Sequence, residues 1–344
     1  MSNFDAIKLS VEASMPNNTV LFDNKGMPSI MVKIPKFKIS DVIVGGSETT
    51  HPAFIVDGVE KDFIYISKYQ NTVIDDRAYS LPMQNPIASV NFDQAKQFCE
   101  NKGKGWHLMT NAEWAAIALW CLKNGYMPRG NNNYGADHSA AHERGVATLI
   151  GSDGRANRVA TGSGPVTWAH NGDSSGIYDL NGNVNEWVGG FRLNAGEIQV
   201  IPNNDAAVTG TNQTATSPLW KAITKAGNLV APGSSGSLKF DKPLKLVETI
   251  TGTPGQTGGI LQSLTKSDTI ETVPEILKAL GLYPAAADLG GDYIYIDNSS
   301  ERLASRGGSW ASTTSAGVFC LGADNSRTRS GTGLGFRAAF VDLP

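Results

Sequence analysis

The chain has 344 residues, of which 40% are hydrophobic and 18% charged, with a formal net charge of −3 and 3 cysteines. This length allows one large domain or two medium ones with a real core. The small charge excludes a field that would draw the protein to nucleic acid or an anionic membrane, and 3 cysteines exclude a disulfide framework.

Low charge together with 38 glycines implies a loop-rich fold with short strands rather than a helical bundle. Residues 1–18 are polar and unpatterned, and read as an arm or attachment segment. They lack a basic start followed by an apolar stretch, so no secretory signal is expected, and no apolar run in the chain is long enough to span a bilayer. The expectation is synthesis in a cytosol, with display outside a cell by another route, such as on a phage particle.

Strands are expected at Thr19–Phe22, Ile30–Ile34 and Phe37–Val44, and the alternation of Phe63–Ser67 suits a half-buried strand. Asn91 can cap a helix that carries Phe92, Ala95, Phe98 and Cys99 on one face and ends at Gly103. Thr110-Asn-Ala-Glu113 is a capping-box pattern, followed by the stripe Trp114, Ile117, Ala118 and Cys121 and a stop at Gly125. Residues 126–180 read as a long ordered loop region, because Trp168, Ile177 and Tyr178 need burial. His138 and His142 would share a face on a helix and could bind a metal there. The alternative, favoured by the Gly-rich flanks, is two surface histidines. Residues 193–300 are weakly patterned and read as an insertion. Within them Thr272 starts a short helix with Pro274 in its first turn, and Asp292–Asp297 alternates as a strand. No nucleophile elbow and no Walker A loop is present.

Five blocks, in order, resemble the formylglycine-generating-enzyme and sulfatase-modifying-factor family. IYISKYQNTV (64–73) is similar to the strand leading into its K-x-E-V-T segment. NFDQAKQFCENKGKGWHLMTNAEWAAIA (91–118) resembles its helix pair, and GIYDLNGNVNEWVGG (176–190) its G-N-V-W-E-W turn. RGGSW (306–310) and GLGFRAAF (333–340) complete the set. The resemblance implies an α+β, C-type-lectin-like domain over residues 19–344, loop-rich, with short strands and two main helices. It also implies a calcium site built from the Asp179 and Glu186 side chains and the Gly182 and Val184 carbonyls. The alternative is that both carboxylates bond backbone N–H groups of the turn. No cofactor is otherwise required.

The family's oxygenases bind copper through two thiolates between the RGGS and GFR blocks. This chain has a single cysteine there, Cys320, which cannot supply a two-sulfur site. Residues 311–334 instead resemble the variable segment of proteins diversified by retroelements, in which asparagine codons scatter by change at adenines. The frame residues of that pattern are kept at Trp310, Ala316, Gly317, Val318, Phe319, Leu321, Arg327 and Gly335–Arg337. The resemblance therefore implies a display protein that is not an enzyme. Its ligand face is expected at Trp310, Ala311, Ser312, Ser315, Cys320, Gly322, Asp324, Arg327, Arg329, Gly331 and Thr332. The implied partner is a protein or glycan on a target cell surface, with virion attachment through the N-terminal arm. The competing functions are an oxygenase and a structural virion protein.

Overall fold

A computed structural model describes residues 3–344; the first two residues of the expected arm lie outside the described residues. Asn3–Ser14 forms helix α1, with Val11 buried, so most of the segment read as unpatterned is helical. The chain then builds a five-stranded sheet in the order Asn18–Phe22, Pro28–Pro35, Phe63–Ser67, Ala338–Phe340, Trp106–Leu108. The last-but-one strand comes from the C-terminus, so the two chain ends close one sheet.

The expected strand over Phe37–Val44 is corrected to a short helix, α2, Ile39–Val42. Its cause is local. Asp41 accepts from the backbone N–H of Lys38 at 2.8 Å, a cap that turns the chain and buries Ile39, Val42 and Ile43 together. Helix α3 (Phe92–Glu100) starts at Asn91, whose side chain accepts from Gln94 N–H, and α4 (Asn111–Asn124) starts at the Thr110/Glu113 capping box and stops at left-handed Gly125. Both follow from their caps and apolar stripes. The helix expected from Thr272 begins later, as α5 (Glu275–Ala279) with Pro274 as its cap.

A second sheet carries most of the remaining strands. At its centre Asn185–Asn194 pairs antiparallel with Glu301–Gly307, which pairs antiparallel with Gly317–Asn325. Residues 193–300 do not stand apart from it. Glu197–Val200 continues the sheet on one side, and Gln256–Ile260 pairs with Tyr293–Asp297, which runs parallel to Gly317–Asn325, on the other. Trp220, Phe240, Leu246, Leu261 and Ile270 of this region are all buried. Weak periodicity there reflects strands of two to five residues, too short to show a pattern by themselves.

Helix α4 packs in the main core, with Trp114 buried and its Nε1–H donating to the Val318 carbonyl at 2.7 Å. Trp187 lies in a second cluster, edge-on to Phe92 at 6.0 Å between centroids. Among the described residues no helix is long and apolar enough to cross a membrane.

Candidate binding face and the turn beneath it

The C-terminal segment leaves the second sheet after Gly307, forms a loop over 309–316, re-enters as the Gly317–Asn325 strand, and leaves again as a loop over 326–333. The strand is its anchor. Val318, Phe319 and Leu321 are buried in the main core. The Phe319 N–H donates to Asp292 Oδ2 at 2.7 Å, and the buried Arg306 guanidinium donates to the Phe319 carbonyl. Gly317 is the one residue that fits opposite Asp292, since a Cβ there would fall 1.9 Å from the Asp292 carboxylate.

The first loop is pinned by its backbone. Trp310 N–H donates to the Asn183 carbonyl at 3.2 Å, Tyr134 N–H donates to the Trp310 carbonyl at 2.8 Å, and Thr313 N–H donates to the Asn132 carbonyl at 2.8 Å. Asn132 and Asn183 are themselves buried and side-chain bonded, Asn132 to Asp137 and Asn181, and Asn183 to the Val159 backbone. The second loop is held where Ser89 N–H donates to the Gly331 carbonyl at 2.9 Å. The two loops touch: a Cβ on Gly333 would lie 3.3 Å from the Trp310 ring. Backbone is thus fixed while Ala311, Thr313, Thr314, Ser326, Thr328, Arg329, Ser330 and Thr332 are exposed, with Ser312, Ser315, Asp324 and Gly331 half-buried.

Three expected face residues are not on it. Cys320 and Gly322 are buried within the anchoring strand, where Cβ at Gly322 would meet Ser305 Oγ at 2.9 Å. Arg327 is engaged: its guanidinium donates to Glu301 at 2.9 and 3.2 Å, to Asp93 at 2.9 Å and to the Gln213 carbonyl at 2.9 Å. The strand is paired on both sides, with Glu301–Gly307 and Tyr293–Asp297, and both its faces are buried from Gly317 to Ala323, while a salt-bridged arginine ties neighbouring segments, so all three serve the frame. Trp310 is 7% exposed and acts mainly as the wedge between the loops. The Arg329 backbone N–H donates to the Ser326 carbonyl at 2.9 Å, while its guanidinium has no bonded partner among the described residues and is a free cation on the face.

The face continues onto parts that sequence reasoning missed. Next to Tyr134 lies an open cleft of about 510 Å3 lined by Arg144, Ile150 and Arg155 among others, with the Arg155 guanidinium 3.4 Å from the Tyr134 ring centroid. Only the fold brings it beside Trp310. His138 and His142 lie in this loop region rather than on a helix, His138 being bonded to Asn132 Oδ1. Among the described residues no three His, Cys, Asp or Glu side chains cluster as a metal site.

Beneath the face is the GNVNEW turn. Gln70, buried, places its side-chain Nε2 3.2 Å from the Asp179 carbonyl, 3.3 Å from that of Gly182, 3.0 Å from that of Val184, and 3.0 Å from Glu186 Oε1. Its Oε1 accepts from Asn183 Nδ2 at 3.0 Å. The Gly182 and Val184 carbonyls and the Glu186 oxygen are among those that the resemblance assigns to calcium; the Asp179 carbonyl is an addition, and the Asp179 side chain is not in the set. That carboxylate accepts from Gly162 N–H through Oδ2, while Oδ1 is buried without a partner; burial raises its pKa to about 6. Calcium takes oxygens at about 2.3–2.6 Å. With the amide nitrogen at their centre the oxygens leave no place for the ion, so the cradle as it stands does not fit it.

The sulfatase-modifying factor enzyme 1-like domain matches residues 10–234, more than half of the chain. The chain belongs to this family. Its fold is accordingly the α+β, C-type-lectin-like one of the formylglycine-generating type, and the RGGSW and GLGFRAAF blocks extend beyond the matched span. Solved structures with a similar course include PvdO from Pseudomonas aeruginosa, at 14% identity over 94% of this chain and 97% of that one, TM-score 0.37. Treponema denticola variable protein 1 aligns at 14% identity over 94% and 99%, TM-score 0.35. The Major Tropism Determinant P3c variant aligns at 10% identity over 94% and 71%, TM-score 0.31. No curated protein sequence matches the chain.

In the family's oxygenase chemistry the decisive groups are two thiolates. Here Cys99, Cys121 and Cys320 are all free and buried, and burial pushes each thiol well above its ordinary range. Cys99 sits in the cluster around Trp187, whereas Cys121 is on α4 with its thiol donating to the His170 carbonyl.

Proposed function

We propose that this chain is a ligand-binding display protein rather than an enzyme, with its binding face on the loops 309–316 and 326–333. The observation that carries this reading is the split between backbone and side chains in residues 309–333. The backbone is anchored by Trp310, Phe319 and Gly331, while most side chains in the two loops are exposed. Exposed substitutions usually change stability by no more than about 0.5 kcal/mol. Such a face tolerates diversification without loss of the fold, as antibody loops do.

The finer reading is a phage tail-tip or surface adhesin whose C-terminal segment is varied by a retroelement and which binds a protein or glycan on a target cell. Helix α1, exposed along most of its length, is then the attachment segment. The oxygenase alternative needs a second thiolate beside Cys320, and residues 306–340 contain no other cysteine.

Deep sequencing of the 3′ end of the gene across a source population tests the reading. Substitutions concentrated in codons 311–333, and sparing those for Val318, Phe319 and Leu321, are expected. A uniform segment with invariant Cys320 would overturn it, and copper binding with oxygen consumption would favour the oxygenase.

A further inference from the structure

Four oxygens converge on one nitrogen in the GNVNEW turn, and the nitrogen belongs to a side chain. Three are main-chain carbonyls, of Asp179, Gly182 and Val184; the fourth is Glu186 Oε1. Gathering so many acceptors in a buried place is unfavourable unless something positive sits among them. An amide –NH2 has two hydrogens and a partial positive charge, enough to serve four acceptors by shared bonds at 3.0–3.3 Å. The orientation of the amide is decided by its surroundings: a flipped Gln70 would aim an oxygen at four oxygens and lose the bond from Asn183 Nδ2.

The negative charge of the cradle is handled separately. Arg337 donates to both Glu186 oxygens at 2.6 and 2.7 Å, so that carboxylate is neutralised without an ion. The sequence supplies the last observation. Lys68-Tyr-Gln70-Asn-Thr72 carries Gln where the K-x-E-V-T segment that it resembles carries Glu. A carboxylate at this position would face the same four oxygens with no hydrogen to give; a proton would supply a single donor for the four, whereas a cation between them satisfies all.

We infer that the Gln70 amide replaces a divalent cation in this chain, organising the turn beneath the binding face so that the fold needs no calcium, and that the exchange of one atom group, Gln70→Glu, opens the cradle to calcium. Gln70 is thus a positioning residue. It sets Asn183, whose carbonyl receives Trp310 N–H, and through Trp310 the first loop. The inference does not depend on what the face binds.

The test is thermal melting and calorimetric titration with calcium chloride alone, on the full chain, in EDTA and in millimolar calcium. The wild-type protein is expected to melt at one temperature in both buffers and to release no heat of specific binding. Gln70→Glu is expected to melt several degrees lower than wild type in EDTA and to recover in calcium, with one ion bound per chain. Gln70→Ala, which vacates the cradle without adding charge, should show a smaller recovery of the same sign, and serves if Gln70→Glu does not fold. Stoichiometric calcium binding by the wild-type protein with a rise in melting temperature overturns the inference. So does a folded Gln70→Glu, or in its place Gln70→Ala, that is indifferent to calcium.

Discussion

Arg337 and Glu186 form a two-point ion pair in which neither side chain reaches solvent, with Nε 2.6 Å from one carboxylate oxygen and a terminal nitrogen 2.7 Å from the other. Two further guanidinium hydrogens go to the carbonyls of Ser67 and Tyr178. Glu186 belongs to the second sheet and Ser67 to the first, and Arg337 stands between the two C-terminal strands that join one to each. The pair therefore fastens the two sheets together. Removing one partner leaves a buried charge uncompensated, which costs about 3–5 kcal/mol. Arg337→Ala should lose that amount in urea unfolding. Arg337→Lys should lose part of it, because an ammonium keeps the charge and gives up the fork. An Arg337→Ala protein as stable as wild type would show that the sheets are held by something else.

Two arginines two residues apart should behave oppositely. Arg327 is tied to Glu301 and Asp93 and lies over the Phe92 ring, whereas Arg329 is exposed. Arg327→Ala is expected to destabilise by about 1–3 kcal/mol through lost charge-assisted bonds. Arg329→Ala should stay within about 0.5 kcal/mol of wild type and weaken binding once a ligand is in hand. Paired denaturation curves of the two variants decide between frame and face for each residue.

Asp292 gives the protein a pH dependence of defined sign. Its folded-state pKa is raised to about 7 by burial, against 3.8 for the ordinary group, and Phe319 N–H only partly offsets this. The folded state therefore holds a proton that the unfolded chain has released. Stability from this group is full below about pH 4, declines as pH rises, and is lost above about pH 7, by on the order of 2–4 kcal/mol in all. His51 and His170 oppose it. Burial lowers them to about 4 and about 3 from 6.5, so they remove stability as pH falls below 6.5. The clean readout is a difference: melting temperatures of wild type and Asp292→Asn from pH 5 to pH 8. Wild type should fall relative to the variant as pH rises, and parallel curves would place the Asp292 titration elsewhere.

The thiols make a simpler prediction. All 3 cysteines are free and buried. A thiol reagent such as dithionitrobenzoate should find none in the native protein and all of them in guanidinium. Prompt reaction of one thiol in the native state would reopen Cys320 as an accessible group.

Much of this architecture was legible in local chemistry. The Asn91 and Thr110 caps, the apolar stripe of α4 and the alternation of Phe63–Ser67 each act within a few residues, so periodicity and capping locate them. The same locality explains an error. Phe37–Val44 is apolar enough for a strand, yet one bond from Lys38 N–H to Asp41 turns it into a helix. The resemblance located the GNVNEW turn and the frame of residues 311–334, and residues 10–234 match the family.

What the chain determined by itself was the two capped helices α3 and α4, several strands, the family and the single thiol near the C-terminus, because caps, stripes and motifs are written in neighbouring residues. Tertiary structure alone decided which residues of the variable-like segment face outward. The resemblance puts Cys320, Gly322 and Arg327 on the ligand face, but the pairing of Gly317–Asn325 between Glu301–Gly307 and Tyr293–Asp297 buries the first two, and Glu301 and Asp93 capture the third. It also decided what sits in the oxygen cradle, since Gln70 lies more than a hundred residues from Gly182 and Val184 in sequence. A hydrogen bond between such distant residues leaves no periodicity to read; its partners meet only when the two sheets close.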